Sequence, residues 1–184
     1  MKAIQLLPVN DTTCTGNWSD SYPYNIVSVF ALHSHYMDLE ALGALKSKTK
    51  MAAYHRQRQE LNALGYSDYE AVDRVKRTYI EEIFAERGQQ TLDSKEFKEW
   101  QIENKEWLEP YAKWLGASAD LICYIQYNLH LQLKSAADYA HSKGVFIKGD
   151  VPIGVNGNSV ETVIHPELFH FDAQTGAPPD GFSD

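Results

Sequence analysis

Two short apolar runs, one near each end of the chain, predict the strands of a parallel sheet. Residues 1–9 (MKAIQLLPV) show little polar alternation, which is typical of a strand buried on both faces. Residues 145–150 (VFIKGD) combine β-branched and aromatic side chains and end at Asp150. Both runs are therefore expected to be buried strands of an α/β fold.

Between these runs the apolar spacing is mainly helical. Helices are predicted from N-cap residues and terminal glycines at residues 51–64 before Gly65, 67–87 before Gly88, 93–115 before Gly116 and 118–143 before Gly144. The second of them starts at a predicted capping box, SDYE (residues 67–70), and a further short helix is expected within residues 33–45. The helix at 118–143 is the most regular, and its apolar stripe is expected to pack against the strands: Ile122, Ile125, Leu129, Leu133, Ala136 and Ala140.

The order strand, helices, strand predicts a βαβ unit. Its strands should be parallel and its crossover right-handed. Residues 33–117 are longer than a crossover requires, so we interpret them as a mainly helical insertion. Residues 10–25 form a long polar loop after the first strand, and a loop of this length is more often functional than a plain connection.

Composition excludes several classes of partner. The chain has 184 residues, 43% of them hydrophobic, which is enough for one domain with a core. A net charge of −8 argues against nucleic-acid binding, which needs clustered basic residues. There is no apolar run long enough to cross a membrane and no leader at Met1, so no membrane partner is expected. Cys14 and Cys123 are too few for a disulfide framework and predict reduced thiols in the cytoplasm.

One glycine-rich segment and two pairs of histidines do not match the patterns of ligand sites. The GVNGNS segment (residues 154–159) lacks the lysine and glycine spacing of a phosphate loop. His33 and His35, like His165 and His170, lack the spacing and acidic partners of a metal site, so a structural or surface role is expected. No metal ligand and no cofactor is predicted.

Asp150 is the strongest candidate for a functional side chain. It stands at the carboxyl end of an apolar strand between Gly149 and Pro152, where α/β enzymes place chemical groups. The alternative is a structural aspartate that caps the following turn. The residues by themselves leave both interpretations open.

Three stretches together resemble the 4-α-glucanotransferases (amylomaltases, disproportionating enzymes) of the α-amylase clan. They are residues 5–42, with LPVNDT and SYPYN; residues 103–111 and 124–140; and residues 148–183, with KGDVPIG and GAPPDGFS. The resemblance covers most of the chain and is weakest between about residues 46 and 95. It implies a (β/α)8 TIM barrel, of which this chain would be a fragment carrying the second strand in residues 1–10 and the third in residues 145–150.

The resemblance also implies an activity and a set of substrate contacts. The activity is the retaining transfer of α-1,4-glucan segments between maltooligosaccharides, which uses two carboxyl groups. Those groups are expected beyond Asp184, so no catalytic residue is assigned in this chain. Four substrate-binding residues match the family motifs: Tyr24 near the donor sugar, Asp150 at the active-site floor, and Asp180 and Phe182 in a mobile loop over the glucan.

Two functions therefore remain in competition. The first is a fragment of a cytoplasmic 4-α-glucanotransferase, with α-1,4-glucans, maltooligosaccharides and the remainder of its own barrel as partners. The second is a complete, non-catalytic α/β module that binds a carbohydrate or a partner through the same cleft. The unfinished last loop and the uncapped strand edges favour the first.

Overall fold

The two predicted strands pair in parallel. In the computed structural model, which describes residues 2–173, β1 (Ala3–Gln5) and β2 (Phe146–Lys148) form a two-stranded sheet. Ile4 lies opposite Ile147, and the Leu6 amide extends the ladder by donating to the Lys148 carbonyl at 2.9 Å. The parallel arrangement predicted from the two apolar runs is confirmed.

The chain between and after the strands is mainly helical. The α-helices of the described part are α1 (Lys48–Asn62), α2 (Tyr69–Leu92), α3 (Lys95–Glu103), α4 (Lys105–Leu115), α5 (Ala119–Ser142) and α6 (Val160–Ile164). Single 3₁₀ turns occupy Trp18–Ser21, Ser34–Tyr36, Glu40–Leu42 and Pro166–Leu168. Two of these turns replace the short helix predicted within residues 33–45. None of these helices is long and apolar enough to cross a membrane.

The expectation that both strands are buried was wrong for this chain. Every residue of β1 is exposed, and the Phe146 side chain in β2 is 71% exposed. The reason is that, within residues 2–173, each strand pairs only with the other strand. Helix α5 contacts β2, but this contact leaves most of the sheet uncovered. An apolar strand sequence indicates that the strand favours burial, but it becomes buried only where other elements pack against it.

Helix α2 differs from its prediction at both ends. Its N-cap is Asp68, whose carboxylate accepts from the Ala71 amide, so the helix starts one residue later than the predicted capping box. Gly88 does not stop the helix, which continues to Leu92. A Cβ at Gly88 would lie 2.2 Å from the ring of Phe84, one turn earlier. The glycine therefore makes room for a side chain instead of ending the helix.

The predicted helix at 93–115 is two helices. Ser94 caps α3 by accepting from the Phe97 amide, as the pattern indicates. Asn104 then interrupts the run: its amide donates to the Trp100 carbonyl at 2.8 Å, and its Oδ1 accepts from the Trp107 indole at 2.9 Å. An asparagine that bonds its own backbone in this way competes with helix continuation. The predicted end at Gly116 is confirmed by its positive φ of 67°.

The core lies among the helices, with the first half of α5 at its centre. The long helix predicted at 118–143 is confirmed as α5, and Gly144 follows it with φ of 68°. Its buried residues pack against α2, α3 and α4, whereas Leu133 and Ala136 further along are exposed. The expectation that the whole stripe packs against the strands was therefore wrong. The largest buried cluster is centred on Ile80, Ile83, Tyr124 and Leu129.

Candidate functional site

The loops after β1 and β2 bring together two of the predicted site residues. The Tyr24 hydroxyl donates to Oδ2 of Asp150 at 2.6 Å, although the two residues are 126 positions apart. Both side chains are half-buried. Asp180 and Phe182, the other two predicted site residues, lie outside the described residues.

The contact sets the ionisation of the phenol. The hydrogen bond to Asp150 raises the pKa of Tyr24 above its ordinary value, and desolvation and the charge of Asp150 act in the same direction. The hydroxyl therefore remains a donor at neutral pH, and it directs its proton to the carboxylate. Among the described residues, none donates a hydrogen bond to the second oxygen of Asp150.

The long polar loop before Tyr24 is ordered by a buried aspartate. Asp20, only 1% exposed, accepts from the Thr15 amide at 3.0 Å, the Thr15 hydroxyl at 2.8 Å and the Gly16 amide at 2.7 Å. Gly16 has a φ of 73°, which side-chain-bearing residues rarely adopt. The hydroxyl of Thr12 bonds the Asp20 carbonyl. Polar residues that predicted an irregular loop thus build a fixed platform beside the strand ends.

A buried polar cluster that the sequence analysis missed supports this platform from the helical side. Asp11, 3% exposed, accepts from the Tyr111 hydroxyl of α4 at 2.7 Å. The same carboxylate lies 3.6 Å from Nδ1 of His33, whose Nε2 is 2.6 Å from the Tyr69 hydroxyl of α2. These contacts join the chain after β1 to two helices of residues 33–117. The only sequence signal was the unusual acidic residue in an otherwise neutral LPVNDT segment.

The pKa values of this cluster follow from its burial. Burial raises the pKa of Tyr111 well above its ordinary value, and Asp11 adds to the shift. Burial also lowers the pKa of His33, although the nearby charge of Asp11 favours the protonated ring. Tyr111 is therefore a hydrogen-bond donor at neutral pH, and His33 lies between Asp11 and Tyr69.

The geometry suits the binding of a neutral, hydroxyl-rich ligand. The Tyr22 ring is 61% exposed and lies 5.7 Å from that of Tyr24 between centroids, so a second aromatic ring lies beside the one whose hydroxyl contacts the carboxylate. Aromatic faces with a few fixed polar groups are what a sugar site requires. In the described part of the chain, no group of three or more His, Cys, Asp or Glu residues could hold a metal ion.

Comparison with known proteins points to one family. The family model described as 4-alpha-glucanotransferase matches residues 1–119 and 115–184. The rice (Oryza sativa subsp. japonica) 4-alpha-glucanotransferase DPE2 is 38% identical over 219 residues, covering 97% of this chain and 22% of that protein. A 4-alpha-glucanotransferase of Chlamydia muridarum is 26% identical over 212 residues, covering 98% of this chain and 39% of that protein.

A solved structure shares the fold. An amylomaltase from Streptococcus agalactiae, in complex with acarbose, matches with a TM-score of 0.69 and 22% sequence identity, covering 100% of this chain and 44% of that chain. This chain thus spans less than half the length of each of these relatives.

Proposed function

Because this chain belongs to the 4-alpha-glucanotransferase family, we propose that it is part of an enzyme that transfers α-1,4-glucan segments between maltooligosaccharides. The observation that carries this proposal is the family match along the whole chain. The contact between Tyr24, in the loop after β1, and Asp150, at the end of β2, supports a substrate site there.

Tyr24 and Asp150 are the proposed substrate contacts of the described part. Tyr24 would place its ring against a glucose face, while its hydroxyl holds the Asp150 carboxylate in one orientation. The remaining carboxylate oxygen would accept from a sugar hydroxyl. Asp180 and Phe182, assigned from the family motif alone, would cover the bound glucan.

We propose that the chain is a segment of a (β/α)8 barrel. In this proposal β1 is the second barrel strand, β2 is the third, and residues 33–117 are a helical insertion between them. The likeness in fold to an amylomaltase supports the arrangement. The exposure of β1 and β2 also supports it, because further strands and helices of a barrel would cover both.

In the proposed enzyme, this chain would bind and orient glucan, and the rest of the barrel would supply the chemistry. Retaining transfer needs a nucleophilic carboxylate and an acid/base carboxyl roughly 5–5.5 Å apart. Asp150 is hydrogen-bonded to a tyrosine, which fits a positioning role in binding. We place both catalytic carboxyls outside this chain and propose no cofactor.

The proposed ligands are α-1,4-glucans and maltooligosaccharides, and the proposed protein partner is the remainder of the barrel. The complex of the S. agalactiae amylomaltase with acarbose supports a carbohydrate ligand. A cytoplasmic location is proposed because Cys14 and Cys123 are both free thiols.

The test is Asp150→Asn in the complete protein that contains this chain. The amide is nearly isosteric but neutral, so a substrate role predicts a loss of roughly 10- to 100-fold in kcat/KM for maltotriose disproportionation. Asp138→Asn is the matched control, because Asp138 is exposed on α5 and pairs only with Lys134 at 2.6 Å among the described residues. Wild-type kinetics in Asp150→Asn would remove Asp150 from the site.

A further inference from the structure

Residues 156–161, in the chain after β2, are hydrogen-bonded to residues 25–29, which directly follow Tyr24. Four hydrogen bonds make this connection, which we call the latch. They are Asn156 N to Ile26 O (2.8 Å), Asn156 Nδ2 to Asn25 Oδ1 (2.9 Å), Val160 N to Val27 O (2.9 Å) and Val29 N to Glu161 Oε1 (2.8 Å).

The latch is fixed on both sides. Ile26 and Val27 are 1% and 0% exposed, so the side of the latch that follows Tyr24 is part of the buried structure. Val160, on the other side, is 3% exposed. The Asn156 amide is held at both ends, because its Oδ1 also accepts from the Asn158 amide at 2.7 Å. Such an asparagine turn leaves the side chain little freedom.

By contrast, little holds the chain between Asp150 and the latch. Residues 151–155 form no hydrogen bond to any other described residue. Val151 and Ile153 are 79% and 99% exposed, and only Pro152 and Val155 are half-buried, so apolar packing holds the stretch weakly. Among the described residues, Asn156 is therefore the first anchor after Asp150, and Asn25 is the immediate neighbour of Tyr24.

We propose that Asn156 and Glu161 are positioning residues. They hold the backbone of residues 25–29, next to Tyr24, so that the Tyr24 hydroxyl keeps its hydrogen bond to the Asp150 carboxylate. Neither residue needs to touch the ligand. Both residues act on the distance between the Tyr24 hydroxyl and the Asp150 carboxylate, which are the groups proposed to contact the ligand. The consequence for glucan transfer rests on the proposed function, whereas the consequence for the Tyr24–Asp150 contact does not.

The direct test measures the Tyr24 phenol. Fluorotyrosine is placed at position 24 of the complete protein, and its pKa is followed by fluorine NMR. Asp150→Asn provides the pKa of a phenol without its carboxylate partner. Asn156→Ala is expected to lower the pKa to that reference value, and Asn158→Ala, a change at an exposed neighbour, to leave it unchanged. An unshifted pKa in Asn156→Ala would overturn the proposal.

Glu161 offers a second, milder test. Glu161→Ala removes the acceptor of the Val29 amide, whereas Glu161→Gln keeps an oxygen at the same place. The alanine variant should lower the fluorotyrosine pKa and the glutamine variant should restore it. Equal pKa values in the two variants would contradict the role of Glu161. This pair also decides the proposal if Asn156→Ala does not fold.

A kinetic cycle then separates positioning from plain stability. Asn156→Ala should reduce kcat/KM for maltotriose disproportionation roughly 10- to 100-fold, as misplaced groups do. In a Tyr24→Phe background the same change should cost nothing further, since the contact it preserves is already lost. Additive losses would contradict the proposal. A wild-type protein without transfer activity but with the predicted phenol pKa values would refute the proposed function and leave the positioning role standing.

Discussion

The buried carboxylate of Asp11 shows how single residues join distant parts of this chain. It receives the Tyr111 hydroxyl from α4 and the amide and hydroxyl of Thr13 at 3.0 and 2.7 Å. Asp11 is only 3% exposed, so water has little access to its carboxylate. The protein donors must therefore supply its hydrogen bonds. The stability of the platform beside Tyr24 should therefore depend on Tyr111.

Tyr111→Phe tests this dependence. The change removes only the hydroxyl and leaves a buried acceptor without its donor, so we expect a loss of about 1–3 kcal/mol in the free energy of unfolding. Urea unfolding followed by circular dichroism measures it. Tyr139→Phe is the matched control, because Tyr139 is 66% exposed on α5. Equal stability of the two variants would show that the Asp11 contact contributes little.

His35 gives the chain a predicted dependence on pH. Its ring stacks on Tyr69 with centroids 4.6 Å apart, and its buried Nδ1 has no hydrogen-bond partner among the described residues. Burial lowers the pKa of His35 from 6.5 to about 4, and the electrostatic influence of the neighbouring His33 and Lys76 acts in the same direction. Asp73 acts weakly in the opposite direction.

The sign of the pH effect follows from which state takes up the proton. Between about pH 6.5 and 4 the unfolded chain protonates this histidine and the folded chain does not, so stability should fall as the pH is lowered through that window. We expect His35→Gln to make the urea midpoint less dependent on pH in this range. His141→Gln, at an exposed position of α5, should keep the wild-type dependence. An unchanged slope in His35→Gln would contradict the prediction.

At the scale of elements, α2 shows why a glycine need not end a helix. Phe84 lies over Gly88 and contacts Tyr124 of α5, with ring centroids 5.2 Å apart. The glycine thus allows an aromatic side chain of α2 to lie along its own helix and reach the neighbouring one. This packing is formed between two helices, so it offsets the low helix propensity of glycine.

Gly88→Ala should therefore destabilise the chain although alanine favours helices. The propensity gain is about 1 kcal/mol. The new Cβ, however, would lie 2.2 Å from the Phe84 ring, and displacing a packed aromatic ring costs roughly 1–3 kcal/mol. Gly65→Ala is the control, since nothing lies within 4 Å of its Cβ position. A higher urea midpoint in Gly88→Ala than in wild type would show that Phe84 moves without cost.

At the scale of the whole molecule, the described chain exposes large apolar side chains near its sheet and after it. Among them are Leu7, Phe146, Val151, Ile153, Leu168 and Phe171. The two-stranded sheet also has unpaired edges among residues 2–173. Exposed apolar strands and open edges favour association with other chains.

Residues 1–184 alone should therefore associate and should not transfer glucan. Association is expected because each copy can cover the sheet and apolar residues of another. Inactivity is expected because the proposed function places the nucleophile and the acid outside this chain, and binding alone does not cleave a glycosidic bond. Light scattering measures the first, and glucose release from maltotriose the second. A stable monomer would contradict the association. Glucose release above a no-protein control would contradict the assignment of both catalytic carboxyls to the rest of the enzyme.

The sequence by itself determined the features that depend on residues a few positions apart, such as helix ends and contiguous motifs. Gly116 and Gly144 mark helix ends that the structure confirms, and the helix predicted to start near residue 93 is capped by Ser94, because caps and left-handed turns act within one helical turn. The spacing of α5 is equally local. The family, too, was recognisable from contiguous motifs such as SYPYN and KGDVPIG, and the comparisons confirm it.

Only the tertiary structure decided which distant residues meet. The contacts of Tyr24 with Asp150 and of Asp11 with Tyr111 join positions 126 and 100 residues apart, and no local pattern encodes such a distance. The same holds for Gly88, whose role depends on Phe84 and the helix beyond it. Burial is likewise a property of neighbours: β1 has the composition of an interior strand, but only the elements packed around it determine whether it is covered.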